Sequence, residues 1–280
     1  MRMLVSVRDV AEAQEAMRAG VDFIDLKEPS AGALGGLALP VIREVVAALR
    51  AGDSELDAAQ AHVPMISATI GDLPPDALEL ILERARMVGA CGVDLVKVGV
   101  PGRGAAACAV LAALAALPLA IVPVLIADDG LDAAVIEAAC APAFAAVMAD
   151  TQAKRAGSLL ELLGVDPLAA FIERAHAAGH RVGLAGALRL TDLAQLARLG
   201  PDFAGFRSAV CDGRREGRLD PARLMALRAA IGTVAARTAA EGAGAEGAAD
   251  AGAAAEVTSL ANAKGARQAS ATPAAEVLAV

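Results

Sequence analysis

The chain has 280 residues, a formal net charge of −8 and a pI near 5.0; 56% of it is hydrophobic but only 2% aromatic, with no Trp and no Tyr. That length suits one large domain or two small ones, and the acidic balance argues against a broad nucleic-acid or anionic-membrane surface. A core without large aromatics must be built from Val, Leu, Ile and Ala, as in a parallel sheet whose strands are buried on both faces.

The chain alternates short β-type runs with longer helical ones. A strand at 3–7 precedes Asp9, which can cap a helix, with Glu12 completing a capping box. Gly20 ends that helix and a strand follows at 21–26. A glycine-rich loop leads to a helix at 39–50, then a strand at 65–70 and a helix at 74–89 with proline in its first turn. Next come a strand at 93–98, a helix at 104–116, a strand at 119–126, a helix at 131–141 and a strand at 145–149. Asp166-Pro167 opens another helix, ending near Gly179. A strand at 181–185, a short helix capped by Thr191 and ending at Gly200, and a strand at 202–206 follow. Asp220-Pro221 starts a last helix.

Eight strands, each followed by a helix, in about 230 residues is the pattern of a single (β/α)8 TIM barrel. A doubly wound open sheet competes with it; eight repeats and no GxGxxG favour the barrel. The barrel is expected over residues 1–232. From 233 to 280 the composition shifts to Ala, Gly, Glu and Asp, too poor in large apolar residues to offset ordering entropy, so a disordered tail is expected there. Three strand starts share a pattern, Gly20-Val21-Asp22, Gly92-Val93-Asp94 and Gly200-Pro201-Asp202. They are assigned to the bottom of the barrel and to stability.

The apolar run at 105–127 is interrupted by Pro118 and Pro123 and ends at Asp128 and Asp129, so a buried helix and strand explain it better than a membrane span. Arg2 and the charged first helix do not resemble a signal peptide, and a cytoplasmic protein is expected. The four cysteines form no CxxC pair and read as buried thiols. His176 and His180 have the spacing of a metal pair but no third ligand, and helix C-terminal capping is the favoured reading. His62 reads as a surface residue. No metal or cofactor is expected.

Lysine is scarce. Of 25 Lys and Arg residues only Lys27, Lys97, Lys154 and Lys264 are lysines. An arginine stays charged, whereas a buried lysine can become a neutral amine and form a Schiff base. Lys264 falls in the expected tail. The other three lie at or just beyond strand ends, the rim where a barrel holds its chemistry. Asp25 and Lys27 share one strand face, followed by a glycine-rich loop that can approach an anion; a structural Asp–Lys pair is the competing reading. Lys97 shares a face with Leu95 inside an apolar strand, where an unpaired charge is costly. Asp150 and Lys154 follow the sixth strand, and Ser67 and Thr69 share a face of the third. Loops after strands seven and eight often hold phosphate; there Gly186 allows close approach and Arg207 and Ser208 supply donors.

The segments Leu4-Val5-Ser6-Val7, Asp25-Leu26-Lys27-Glu28-Pro29, Ser67-Ala68-Thr69-Ile70-Gly71-Asp72, Val96-Lys97-Val98-Gly99, Asp150-Thr151 with Lys154, Leu184-Ala185-Gly186 and Gly205-Phe206-Arg207-Ser208-Ala209 resemble the (5-formylfuran-3-yl)methyl phosphate synthase family. The resemblance spans about residues 3–230. It implies a lyase with the architecture of class I aldolases. Such an enzyme condenses two glyceraldehyde 3-phosphates into a furan aldehyde phosphate, with loss of phosphate and water, for methanofuran synthesis. By resemblance Lys27 is the Schiff-base lysine and Lys97 the proton-transfer residue. It also implies that Asp150 and Lys154 assist in the same pocket and that Arg207 and the loop after Lys27 contact phosphate; the strand faces and rim positions add Asp25 as a catalytic candidate and Ser67, Gly186 and Ser208 as candidates for contacting substrate or phosphate. Lys97 would favour the neutral form of Lys27 by like-charge repulsion and desolvation. A class I phosphosugar aldolase without furan formation and a non-catalytic phosphosugar-binding barrel remain open. The expected partner is a triose phosphate, with no nucleic acid and no membrane; a homo-oligomer is allowed.

Overall fold

A computed structural model describes residues 1–51, 63–152, 157–212 and 214–243. Its eight parallel strands pair in chain order and close on themselves, β8 against β1. They are β1 (Arg2–Val7), β2 (Phe23–Leu26), β3 (Met65–Thr69), β4 (Leu95–Pro101), β5 (Ile121–Ile126), β6 (Val147–Asp150), β7 (Val182–Leu184) and β8 (Phe203–Phe206). The helices are α1 (Val10–Arg18), α2 (Leu39–Ala51), α3 (Leu78–Gly89), α4 (Ala105–Ala115), α5 (Ala133–Cys140), α6 (Leu159–Leu163), α7 (Val165–Ala177), α8 (Leu193–Leu199) and α9 (Pro221–Ala243). This is the expected TIM barrel. No described helix is long and apolar enough to cross a membrane.

The apolar residues divide into two compartments. One lies between strands and helices and takes the outward side chains, among them Val5, Ile24, Ile66, Val96 and Leu125. The other fills the barrel itself, with Leu4, Phe23, Leu95, Val124, Met148 and Phe203. Period-two alternation sorts neighbouring residues between the two. Phe23 and Phe203 meet with centroids 5.1 Å apart. Gly183 makes room for them, since a Cβ there would sit 2.3 Å from the Phe203 ring.

The glycine–aspartate strand starts have a defined job. Gly20, Gly92 and Gly200 each have positive φ, which lets the chain reverse after a helix. Each following aspartate then accepts a backbone N–H from a neighbouring strand: Asp22 from Met3 at 2.7 Å, Asp94 from Ile66 at 2.9 Å and Asp202 from Val182 at 2.7 Å. Each also pairs with a basic residue, Arg228, Arg50 and His176 respectively. His176 thus serves a strand start instead of its own helix terminus. His180 bonds the carbonyl of Cys140, the last residue of α5, at 2.9 Å, and so caps a neighbouring helix.

Several boundaries differ from expectation. α3 begins at Leu78, not Pro74, because consecutive prolines at 74 and 75 hold the preceding backbone out of the helical region. Gly164, with φ of 76°, is the N-cap of α7, so Asp166 and Pro167 lie inside its first turn. α6, absent from the sequence expectation, is set by a capping box between Ser158 and Glu161. Asp192, not Thr191, stands at the N-cap of α8. α9 continues to Ala243, so the first residues expected in the tail are helical. Lys154, His62 and Lys264 lie outside the described residues.

Candidate active site

Strand register places the chemistry. Ser6, Asp25 and Ser67 stand side by side on β1, β2 and β3, and Thr69 is level with Lys97 one step nearer the C-terminal rim. Asp25 is 0% exposed and Lys97 2%. The Lys97 ammonium lies 3.1 Å from Asp25 Oδ2, while the Ser67 and Ser6 hydroxyls donate to the same carboxylate at 2.7 and 3.2 Å. Burial pushes the Asp25 carboxyl up. The ammonium groups of Lys97 and Lys27 and the Ser67 hydroxyl more than offset it, so the group titrates below its ordinary value. The strand-four lysine that needed a partner has one.

Lys27 follows β2 directly, and its backbone N–H still donates to the Val7 carbonyl at 3.0 Å, so its position is fixed by β1. With Asp25, Lys97 and Asp150 it lines a cavity of about 460 Å³, open rim included, at the C-terminal end of the barrel. Gly186, Ala187, Ser208 and Arg215 line the other wall.

The loop after Lys27 folds back over the barrel. Leu34 is fully buried in the interior cluster, where Gly99 leaves space for it: a Cβ on Gly99 would lie 2.7 Å from Leu34 Cδ1. The Leu34 N–H donates to Asp72 at 3.2 Å, and the Thr69 hydroxyl to the Gly35 carbonyl at 2.9 Å. Partial burial pushes the Asp72 carboxyl above its ordinary value, and Asp150 adds to the shift against the lowering effect of the Leu34 N–H and Lys27.

The structure brings Lys27, Lys97, Asp25, Asp150, Gly186, Arg207 and Ser208 to one cavity. Two expected contacts are corrected. Ser67 is 1% exposed and gives its hydroxyl to Asp25, below the cavity wall, so it is a support for that carboxylate and not a phosphate ligand. Arg207 reaches the wall, but its guanidinium is consumed by the protein. Nη1 and Nη2 clasp Glu12 at 2.6 and 3.1 Å and also bond the carbonyls of Ser6 and Gly217; Nε bonds the carbonyl of Arg215. All three nitrogens are engaged, leaving it no role as a free phosphate donor.

Sequence reasoning missed Ser6 and Arg215. Ser6 was detectable, since it shares the inward face of β1 with Leu4. Arg215 carries no periodic signal, because it sits in the connection beyond β8. Glu12 was read only as half of a capping box with Asp9; Asp9 does cap α1, but the Glu12 carboxylate accepts the N–H of Arg8, one residue before the cap, at 3.0 Å and holds Arg207.

The family model for 4-HFC-P synthase matches residues 3–228. A (5-formylfuran-3-yl)methyl phosphate synthase of Methanococcus maripaludis strain C5 is 32% identical over 249 residues, covering 78% of this chain and 94% of that one. The protein of the same name from Methanocaldococcus jannaschii is 30% identical, covering 79% and 95%. Among solved structures, a phosphoribosyl anthranilate isomerase from Thermus thermophilus matches at a TM-score of 0.54 with 15% identity, covering 84% of this chain and 100% of that one. A 3-hexulose-6-phosphate synthase matches at 0.53 with 20% identity, covering 82% and 100%. At those identities the structural likeness concerns the fold alone.

Proposed function

The chain belongs to the 4-HFC-P synthase family, and from that premise we propose that it condenses two molecules of glyceraldehyde 3-phosphate into (5-formylfuran-3-yl)methyl phosphate through a Schiff base on Lys27. The observation that carries this reading is the convergence of Lys27, Lys97, Asp25 and Asp150 on one cavity at the C-terminal rim. The Lys27 amine attacks the aldehyde carbon of one triose phosphate, and water leaves as the imine forms. The imine acidifies the adjacent carbon; loss of its proton gives an enamine, whose carbon attacks the second aldehyde. Eliminations and ring closure follow, and hydrolysis of the imine frees Lys27. By atom balance, two triose phosphates give one furan aldehyde phosphate, one phosphate and two waters.

Each step moves a proton, and Lys97 is the candidate carrier, because its ammonium is buried at the cavity floor and held by Asp25. Asp150 lines the same cavity and is a second candidate. The product would serve methanofuran synthesis, as the family resemblance implies.

Borohydride reduction in the presence of glyceraldehyde 3-phosphate, followed by peptide mass spectrometry, tests the imine. The expected result is a stable adduct on Lys27; a protein left unmodified there sinks the reading. Product analysis separates furan formation from a simple aldol condensation. Lys27→Arg is expected to keep the fold and lose turnover by at least about a thousandfold, because a guanidinium remains protonated and forms no imine.

A further inference from the structure

The cavity's positive charges are unequally committed. Lys97 is paired with Asp25 and Arg207 with Glu12, both inside the protein. Lys27 must lose its charge to act as a nucleophile. Arg215 differs from all three. It lines the same cavity, and its nearest carboxylate is the half-exposed Glu216, 3.8 Å from Nε. Its Nη2 bonds the carbonyl of Pro29 at 2.5 Å and that of Gly32, both in the loop after Lys27. Among the described residues its Nη1 makes no hydrogen bond.

The backbone beneath Arg215 is held with unusual redundancy. Cys211 and Leu219, on either side of it in the chain, pair as an antiparallel bridge. Three consecutive carbonyls between them are gripped by arginines: Arg215 and Gly217 by Arg207, at 2.8 and 2.6 Å, and Glu216 by Arg8 at 2.9 Å. Arg207 and Arg8 both face the carboxylate of Glu12, which is 2% exposed. A connecting loop does not require three such anchors to turn the chain. They make sense if one side chain on this segment must be held at a fixed place, and Arg215 is the side chain that crosses the mouth.

Opposite that mouth, the β7 loop turns through Gly186 at φ 110° and Ala187 at φ 48°, Ala187 being the one non-glycine residue with positive φ among those described. Such strain accumulates where a binding surface is shaped. With the exposed Ser208 hydroxyl it completes the wall around an arginine that, among the described residues, has Glu216 as its ion-pair partner and Asp72 as a more distant negative charge.

Resting on the reading of this cavity as a triose phosphate site, we propose that Arg215 is the residue that recognises the substrate phosphate and, through Pro29 and Gly32, holds the loop after Lys27 against the bound anion. Nη1, whose N–H groups make no hydrogen bond among the described residues, can donate to a phosphate oxygen with the charge of the guanidinium behind it, and the Glu12–Arg207 clasp is what positions it.

The test uses the full chain and the variants Arg215→Met and Arg215→Lys. Trapping at Lys27 is measured against glyceraldehyde 3-phosphate and against unphosphorylated glyceraldehyde. In Arg215→Met the half-saturating concentration of the phosphorylated aldehyde is expected to rise about tenfold to a hundredfold. That of glyceraldehyde should rise far less, since it loses only the strap contacts to Pro29 and Gly32, with Arg215→Lys between. Equal weakening for both aldehydes would make Arg215 a structural strap only and overturn the proposal, as would no weakening for either. Inorganic phosphate supplies an arm that does not depend on imine chemistry: it should raise the melting temperature of the parent protein and not that of Arg215→Met. If the parent shows no Lys27 adduct but this difference persists, the catalytic reading fails and the anion site stands. An equal phosphate shift in both proteins removes the anion site.

Discussion

The carboxylate at the centre of the barrel has its charge held by what surrounds it. Asp25 is fully buried, and an unpaired ion there would be costly, so its three partners are obligatory. The shortest contact is the Ser67 hydroxyl at 2.7 Å. A hydrogen bond to a buried charge contributes about 1.5–3 kcal/mol, and Ser67→Ala should lose about that much at neutral pH. Because Ser67 helps hold the Asp25 carboxyl below its unfolded value of 3.8, the stabilisation is present above that pH and fades as pH falls through the lower folded value. Denaturant melts of the parent and variant across pH should therefore converge toward strongly acidic conditions. A deficit that stays constant with pH would mean that Ser67 contributes packing alone.

At the scale of the element, one sequence device recurs and its role was legible only in part. The Gly-x-Asp triplets were placed at strand starts, and that is where they are. Their mechanism, a side chain bonding the neighbouring strand's N–H, depends on which strand lies alongside, which the local sequence does not state. Asp22 accepts the Met3 N–H and meets Arg228 at 3.0 Å. Asp22→Ala leaves that donor without its partner and should cost about 1–3 kcal/mol, whereas Asp22→Asn should recover most of it. Turnover should be unchanged in both, because the triplets lie at the end of the barrel opposite the cavity. A melting series with parallel rate measurements checks the separation. The same contrast explains which elements were readable. Strands with aliphatic runs, β4 and β5, declared themselves by composition. α6 did not, because five residues carry too little periodicity and only the Ser158–Glu161 box marks it. α3 was misplaced because proline favours a helix start only when no second proline follows it.

Across the whole molecule, the candidate residues that sequence reading and the structure both place at one cavity are those fixed by strand alternation: Asp25, Lys27, Lys97 and Asp150 each sit on or beside a strand, so a period of two locates them. Those it misjudged depend on contacts between distant segments. Arg207 looked like a free rim donor because nothing near it in sequence absorbs its charge; Glu12, 195 residues away, does. This pair does more than fill a gap. It joins the first helix to the last strand, where closure of β8 on β1 completes the barrel, and it carries the segment of Arg215. Removing one partner of a buried pair strands the other charge, at a cost of about 3–5 kcal/mol. Glu12→Ala should lower stability by that amount and also weaken saturation by glyceraldehyde 3-phosphate, since that segment loses its clasp. The double variant Glu12→Met with Arg207→Met no longer buries a lone ion, so its stability loss should fall well short of the sum of the two single losses. Its triose phosphate affinity should nevertheless remain poor, because the carbonyls of Arg215 and Gly217 have lost their donor. A double variant that regains both stability and affinity would show that the clasp serves folding only and that Arg215 finds its place without it.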